Sequence, residues 1–181
     1  MQEKRRIDMK SITTKKLVIT ALFMALTMVS TMVIRIPLSF GYVNLGDVFV
    51  LLSVFILGPI CGTIAAGIGS GLADLFGYIT YAPGTLIIKS VMALVVWLIY
   101  TLLLKATNKK ILAEIVGGIM GVFLMVCGYF LYELLFFTTV AVAIVNAPWN
   151  LVQGGIGVAL SVIIMRILTA TKALEKLNLH K

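Results

Sequence analysis

Residues 47–78 read DVFVLLSVFILGPICGTIAAGIGSGLADLFGY. Whether this stretch crosses a membrane once or twice decides the side on which everything after it lies. Gly58-Pro59 stands in its middle, and that pair breaks a helix: proline lacks the N–H and glycine accepts the turn. Read as two segments, span two runs over about 47–57 and span three over about 60–78. The first is short, since a crossing takes about 20 apolar residues. Read as one segment, the length improves and the charges fail. Cytoplasmic flanks of membrane helices collect Lys and Arg. With two spans, one side receives Lys4, Arg5, Arg6, Lys10, Lys15 and Lys16, then Lys105, Lys109 and Lys110, then Arg166, Lys172, Lys176 and Lys181. That is 13 of the 15 basic residues, with Arg35 and Lys89 left on the other side. With one span, the seven basic residues at 105–110 and 166–181 split across the membrane. The two-span reading prevails.

The rest of the chain extends that pattern. Apolar runs bounded by Gly, Pro and polar clusters predict span one over about 16–36, span four over 85–104, span five over 112–137 and span six over 148–169. Pro148 falls in the first turn of the last span, where its missing N–H does no harm, and 138–147 reads as an apolar loop. The expected fold is an all-α integral membrane protein of six transmembrane helices with both termini cytoplasmic. Bulk composition agrees. The 181 residues are 61% hydrophobic and 12% charged, against about 25% charged in soluble domains, and mean hydropathy is +1.11. These values exclude a soluble enzyme, a disordered chain and a secreted disulfide scaffold. The net charge of +8 therefore records topology rather than a nucleic-acid partner. Residues 17–34 are too long an apolar run for a signal peptide and read as a retained span.

The chemistry-bearing residues are few. His180 is the single histidine, and Cys61 and Cys127 lie in apolar runs with no CxxC spacing, so they read as small buried residues. No metal or cofactor is expected. Lys89-Ser90 resembles the end of a phosphate-binding loop, but Ile88 stands where the loop needs glycine. What remains is a layer of polar groups at one depth, at the end away from the basic flanks. Asp47 opens span two, Asp74 lies near the end of span three, and Lys89 is one turn into span four. Glu133 is near the end of span five, Asn150 and Gln153 are in the first turn of span six, and Arg35 closes span one. Tyr42, Tyr78, Tyr81, Tyr129, Tyr132 and Trp149 share the level. An ionisable group near a bilayer centre costs at least about 2.5–3.5 kcal/mol on insertion scales, so such a layer calls for a reason. Plain structural readings stay open: Asp47 as a helix cap, Asp74 with Lys89 as an ion pair, Glu133 reaching to water, Arg35 and the aromatics as interface anchors. Together, the groups predict an outward-facing polar pocket walled by aromatics, suited to a flat, polar, heteroaromatic ligand. The opposite halves of the spans read as apolar. Small-residue ridges on span three (Gly62, Ala66, Ser70, Asp74, with Gly67 and Gly71 beside them) and span six (Gly154, Gly157) suit close helix packing.

Several motifs carry a family resemblance. Leu45-Gly46-Asp47, Leu57-Gly58-Pro59 with Gly62, Gly67 through Asp74, Tyr81-Ala82-Pro83 and Ile88-Lys89 resemble the substrate-binding membrane subunit, or S component, of energy-coupling factor (ECF) vitamin transporters, in the riboflavin-transporter-like branch. The resemblance covers about residues 15–170 and is most specific over 44–93. It implies a cytoplasmic basic segment over 1–15, a six-helix substrate-binding domain over 16–170 and a cytoplasmic tail over 171–181. It implies vitamin binding near the outer surface under a lid formed by the loop after span one. It also implies docking through an AxxxA motif on the first helix, here Ala21 and Ala25, onto a transmembrane coupling subunit that works with two cytoplasmic ATPases. The chain itself is then no enzyme, and it belongs in a prokaryotic cell membrane. The expected substrate-binding set is Asn44, Asp47, Asp74, Tyr78, Tyr81, Lys89, Glu133, Trp149, Asn150 and Gln153. Ligand residues of the thiamin and biotin branches have no match. Pyridoxine is the first expected substrate, then hydroxymethylpyrimidine, then riboflavin. The rival readings are a self-sufficient small transporter and a non-transporting membrane interaction protein.

Overall fold

The computed structural model describes residues 14–37, 42–136 and 140–177. Gly58 adopts φ +81° and its N–H closes α2 on the Val54 carbonyl at 3.0 Å, while Pro59 starts α3. The element order is α1 (Thr14–Val33), β1 (Arg35–Pro37), β2 (Tyr42–Asn44), α2 (Gly46–Leu57), α3 (Pro59–Gly77), α4 (Ala82–Thr107), α5 (Lys110–Phe136), α6 (Val140–Ala170) and α7 (Ala173–Leu177). The chain is an all-α membrane protein whose one departure is the short antiparallel pair β1–β2, with Arg35 opposite Asn44. Arg35 therefore lies in a strand and does not close the first helix. Five helices, α1 and α3 to α6, are long and apolar enough to cross a bilayer. With 12 residues, α2 rises only about 18 Å.

The distribution of side chains inverts that of a soluble protein. Leu, Ile, Val and Phe cover the outside of α1, α4, α5 and α6, while Asp47, Asp74, Lys89, Glu114, Glu133, Asn146 and Gln153 are buried. Lipid covers the outer surface, so hydrophobicity does not drive the helices together, and close packing of small residues does. Of the long helices, α3 carries the most glycine at such contacts. A Cβ on Gly62 would stand 2.8 Å from the Val54 Cα of α2, and one on Gly69 would stand 2.8 Å from the Met24 carbonyl of α1. A central core forms around Leu51, Met92, Val96 and Met125. A second forms around Phe23, Leu52, Leu57 and Ala65.

Three expectations are corrected. The segment 140–147, expected as a loop, is the start of α6, so Pro148 lies inside a 31-residue helix. Proline cannot donate to the carbonyl four residues back, but transmembrane helices tolerate it because neighbouring groups re-satisfy the backbone. Cys127 is exposed on α5, while Cys61 is buried. The end of the bundle away from the polar layer is not wholly apolar. Arg166 Nη2 of α6 donates to both carboxylate oxygens of Glu114 of α5, which is 1% exposed. His180 lies outside the described residues.

Candidate functional site

The site forms where the N-terminal turns of α2 and α4 meet the C-terminal turns of α3 and α5, the first half of α6 and strand β2. It contains three hydrogen-bonded clusters. In the first, the Lys89 ammonium of α4 pairs with Asp47 of α2, donates to Met125 Sδ at 2.8 Å and lies 5.7 Å from the centre of the Tyr129 ring. Gln153 Nε2 of α6 donates to the second Asp47 oxygen at 2.7 Å. Its Oε1 accepts from the Asn44 N–H at 2.9 Å and Nδ2 at 3.2 Å. Asn44 Oδ1 in turn accepts from Gly46 N at 2.8 Å. Four elements are thereby tied through one aspartate. Asp47 is in the first turn of α2 but makes no capping bond, and the partner of Lys89 is Asp47 rather than Asp74.

In the second cluster, Asp74 accepts from the Tyr42 hydroxyl of β2 and the Thr85 hydroxyl of α4, and Tyr129 donates to Thr85 Oγ1 at 2.9 Å. Behind Tyr42, the Arg35 guanidinium lies 4.7 Å from its ring centre. Arg35 donates to the carbonyls of Thr31 at 3.1 Å and Ala73 at 3.3 Å, so it staples the hairpin to α1 and α3. In the third, Glu133 Oε1 accepts from the Tyr81 hydroxyl at 3.1 Å and from Asn146 Nδ2 at 2.8 Å. Glu133 is 2% exposed and does not reach to water. Burial first, and then the neighbouring carboxylate, pushes the Tyr42 and Tyr81 hydroxyls well above the ordinary phenol range. Both therefore stay protonated and act as donors to Asp74 and Glu133.

Tyrosines form one wall. The Tyr42 and Tyr78 rings lie 4.8 Å apart, and Tyr81 stands 6.5 Å from Tyr78, 6.5 Å from Tyr129 and 6.1 Å from Tyr132. Between the clusters lies a cleft of about 50 Å³, far below the ~300–1,000 Å³ typical of small-molecule sites. A small-molecule ligand of ordinary size enters this cleft only if side chains or the hairpin move outward.

Of the expected binding residues, Asn44, Asp74, Tyr81, Lys89, Glu133, Asn150 and Gln153 line the cleft. Asp47 stands behind Lys89, 1% exposed. Tyr78 backs Tyr42 without lining the cleft. Trp149 is turned outward, 45% exposed, and is not brought to the site. Six lining residues stood outside the expected binding set: Thr31, Ser70, Thr85 and Asn146, and also Tyr42 and Tyr129, which were placed at this level only as aromatics. Thr85 precedes Lys89 by one turn and shares its face. Thr20, Thr27 and Thr31 form a buried stripe on α1 at helical spacing, so both signals were present. Asn146 was hidden by the misplaced start of α6. Ala21 and Ala25 are both exposed on α1. The lid expected after the first span includes residues 38–41, which lie outside the described residues.

Comparison with known proteins follows from this geometry. Residues 11–170 match the family model of the ECF-type riboflavin transporter, S component. A protein of Pyrococcus woesei, known as an uncharacterized protein in gap 3'region, is 39% identical over 107 residues, or 56% of this chain and 66% of that protein, so the match spans slightly less than two thirds of its length. A solved structure described as the S component of a bacterial ECF transporter superposes with a TM-score of 0.64 at 21% identity, covering 87% of this chain and 96% of that one. At that identity the likeness establishes the fold.

Proposed function

Because the chain belongs to the family of ECF-type riboflavin transporter S components, we propose that it captures a water-soluble vitamin or vitamin precursor in the cleft between Asp74, Lys89, Glu133 and Gln153. It then passes the ligand to a coupling module made of a transmembrane subunit and two ATPases. The observation that carries the reading is the convergence of buried charged and amide groups from α3, α4, α5 and α6 on one cleft, with half-buried Asn44 of β2 at its edge and buried Asp47 of α2 behind it. Buried polar groups in a lipid-facing bundle are costly and mark binding or transport paths. The 13 basic residues that fall on one side of the six-span reading support an arrangement with both termini cytoplasmic and the cleft open to the outside. ATP hydrolysis then belongs to the partners, and a prokaryotic cell membrane is the setting.

Acidic groups, a lysine and tyrosines together suit a small, ring-shaped polyol better than a hydrophobic ligand. Pyridoxine is the first substrate proposed, then hydroxymethylpyrimidine, then riboflavin. The test is mass spectrometry of small molecules that copurify with the protein from cells fed all three, followed by calorimetric titration of the emptied protein. Recovery of one of them at one per chain supports the reading, and recovery of none overturns it. A self-sufficient transporter would instead take up the same compound in vesicles holding this chain alone.

A further inference from the structure

We propose that Glu133 and Asn146 form a subsite that reads an N–H donor on the ring of a nitrogen heterocycle. This rests on the reading of the cleft as a vitamin site and specifies what the vitamin presents there. Most acceptors around the cleft are already occupied. Both oxygens of Asp47 are taken by Lys89 and Gln153. Both oxygens of Asp74 are taken by Tyr42 and Thr85. The Gln153 oxygen accepts twice from Asn44. Glu133 Oε2 and Asn146 Oδ1 are different. Both residues line the cleft and are 2% and 4% exposed, yet neither of these oxygens has a hydrogen-bond partner among the described residues. The remaining unpartnered buried side-chain atoms, on Thr27, Thr63 and Arg166, are not part of the cleft lining.

A buried acceptor left open forfeits free energy that a donor restores. Two such acceptors side by side define what fits against them. Asn146 Nδ2 donates one N–H to Glu133 Oε1 and keeps its second, so the pair offers two open acceptors beside one remaining amide N–H. Charge points the same way. The ion pairs among the described residues are Lys89–Asp47 and Arg166–Glu114, so Glu133 is met only by the neutral donors Tyr81 and Asn146. A ring N–H, an exocyclic amino group or a protonated ring nitrogen complements this corner. A methylated nitrogen does not.

The test uses the purified full-length chain in lipid nanodiscs and three matched pairs of probes. These are pyridoxine and its ring N-methyl derivative, 4-amino-5-hydroxymethyl-2-methylpyrimidine and its dimethylamino derivative, and riboflavin and its 3-methyl derivative. Affinities are read by calorimetry. For whichever parent binds, methylation should weaken binding about 10- to 100-fold, as expected for a hydrogen bond to a charged group. Glu133→Gln replaces one carboxylate oxygen by an amide N–H. It should weaken the parent by a similar factor and shrink the gap between parent and methylated probe. Equal affinity for parent and methylated probe in the wild type overturns the proposal without requiring any variant to fold. So does an undiminished gap in Glu133→Gln. Either result means that water fills the two acceptors and that the vitamin reading stands without this subsite. Binding of none of the three parents overturns both.

Discussion

Lys89 is 4% exposed, and its ammonium rests between a carboxylate, a thioether and the face of a tyrosine. Removing one partner of a buried pair strands the other and costs about 3–5 kcal/mol, whereas neutralising both together can cost little. Lys89→Met should therefore lower the thermal unfolding midpoint in detergent sharply, and Lys89→Met with Asp47→Asn should recover most of the loss without recovering ligand binding. A double variant as unstable as the single one would show that the stranded charge of Asp47 is not the cause. The identity of this partner was not readable from the sequence. Span assignment places a residue by depth, and Asp47 and Asp74 share a depth with Lys89. Choosing between them requires the rotation of each helix about its axis. That rotation is set by contacts such as Gly157 of α6 against Asp47 Cβ, where an added Cβ would come within 2.9 Å, and those contacts are not local.

At the scale of elements, glycine position separates packing from exposure. Gly62→Val would push a side chain into the α2 backbone, 2.8 Å from Val54 Cα and 3.0 Å from the Ser53 carbonyl. Gly155 on α6 has nothing within 4 Å and faces an apolar groove beside Ile119 and Phe123. The first substitution should destabilise by about 1–3 kcal/mol or more and the second by no more than about 0.5 kcal/mol, read as unfolding midpoints of the two variants side by side. Similar losses at both sites would mean that α2 and α3 are not in the close contact described. The elements themselves were legible wherever a breaker has one meaning. Gly58-Pro59 divides α2 from α3 as expected, because glycine at positive φ and proline in a first turn are local events, whereas Pro83, expected in a loop before a span starting at 85, already lies in the first turn of α4. Pro148 was ambiguous. The same residue starts a helix in water and is tolerated inside one in a membrane, and its misreading removed about two turns of α6 together with Asn146.

At the scale of the whole molecule, the proposed binding cleft and the proposed docking face do not overlap. The cleft opens at one end, and Ala21 and Ala25 are exposed together on α1, four residues apart on one side of the helix. Small residues let a partner helix approach closely, so this face is suited to docking on a coupling subunit. Ala21→Trp with Ala25→Trp should abolish ATP-driven uptake in vesicles holding the full transporter while leaving calorimetric vitamin binding unchanged. Retention of the double variant on the affinity-purified ATPase module would place the docking contact elsewhere. Membrane class could be read from composition, because it is a sum over many residues. The Glu114–Arg166 pair was overlooked because it sits close to the basic flank, where charges look solvated. Only the fold shows Glu114 turned inward and the two helices fastened there.

The short helix α2 has a consequence for where a ligand can rest. Ten of its twelve residues are buried, and it is packed against α1, α3, α4 and α6, so its length mismatch is met by protein and not by a thinned bilayer. A short post inside a taller sleeve leaves a well above it. Asp47 of its first turn stands behind Lys89, and the lining of that well comes from β2 and the ends of the longer helices. The length of a helix held almost wholly inside protein therefore sets how deep the proposed site lies below the ends of its taller neighbours.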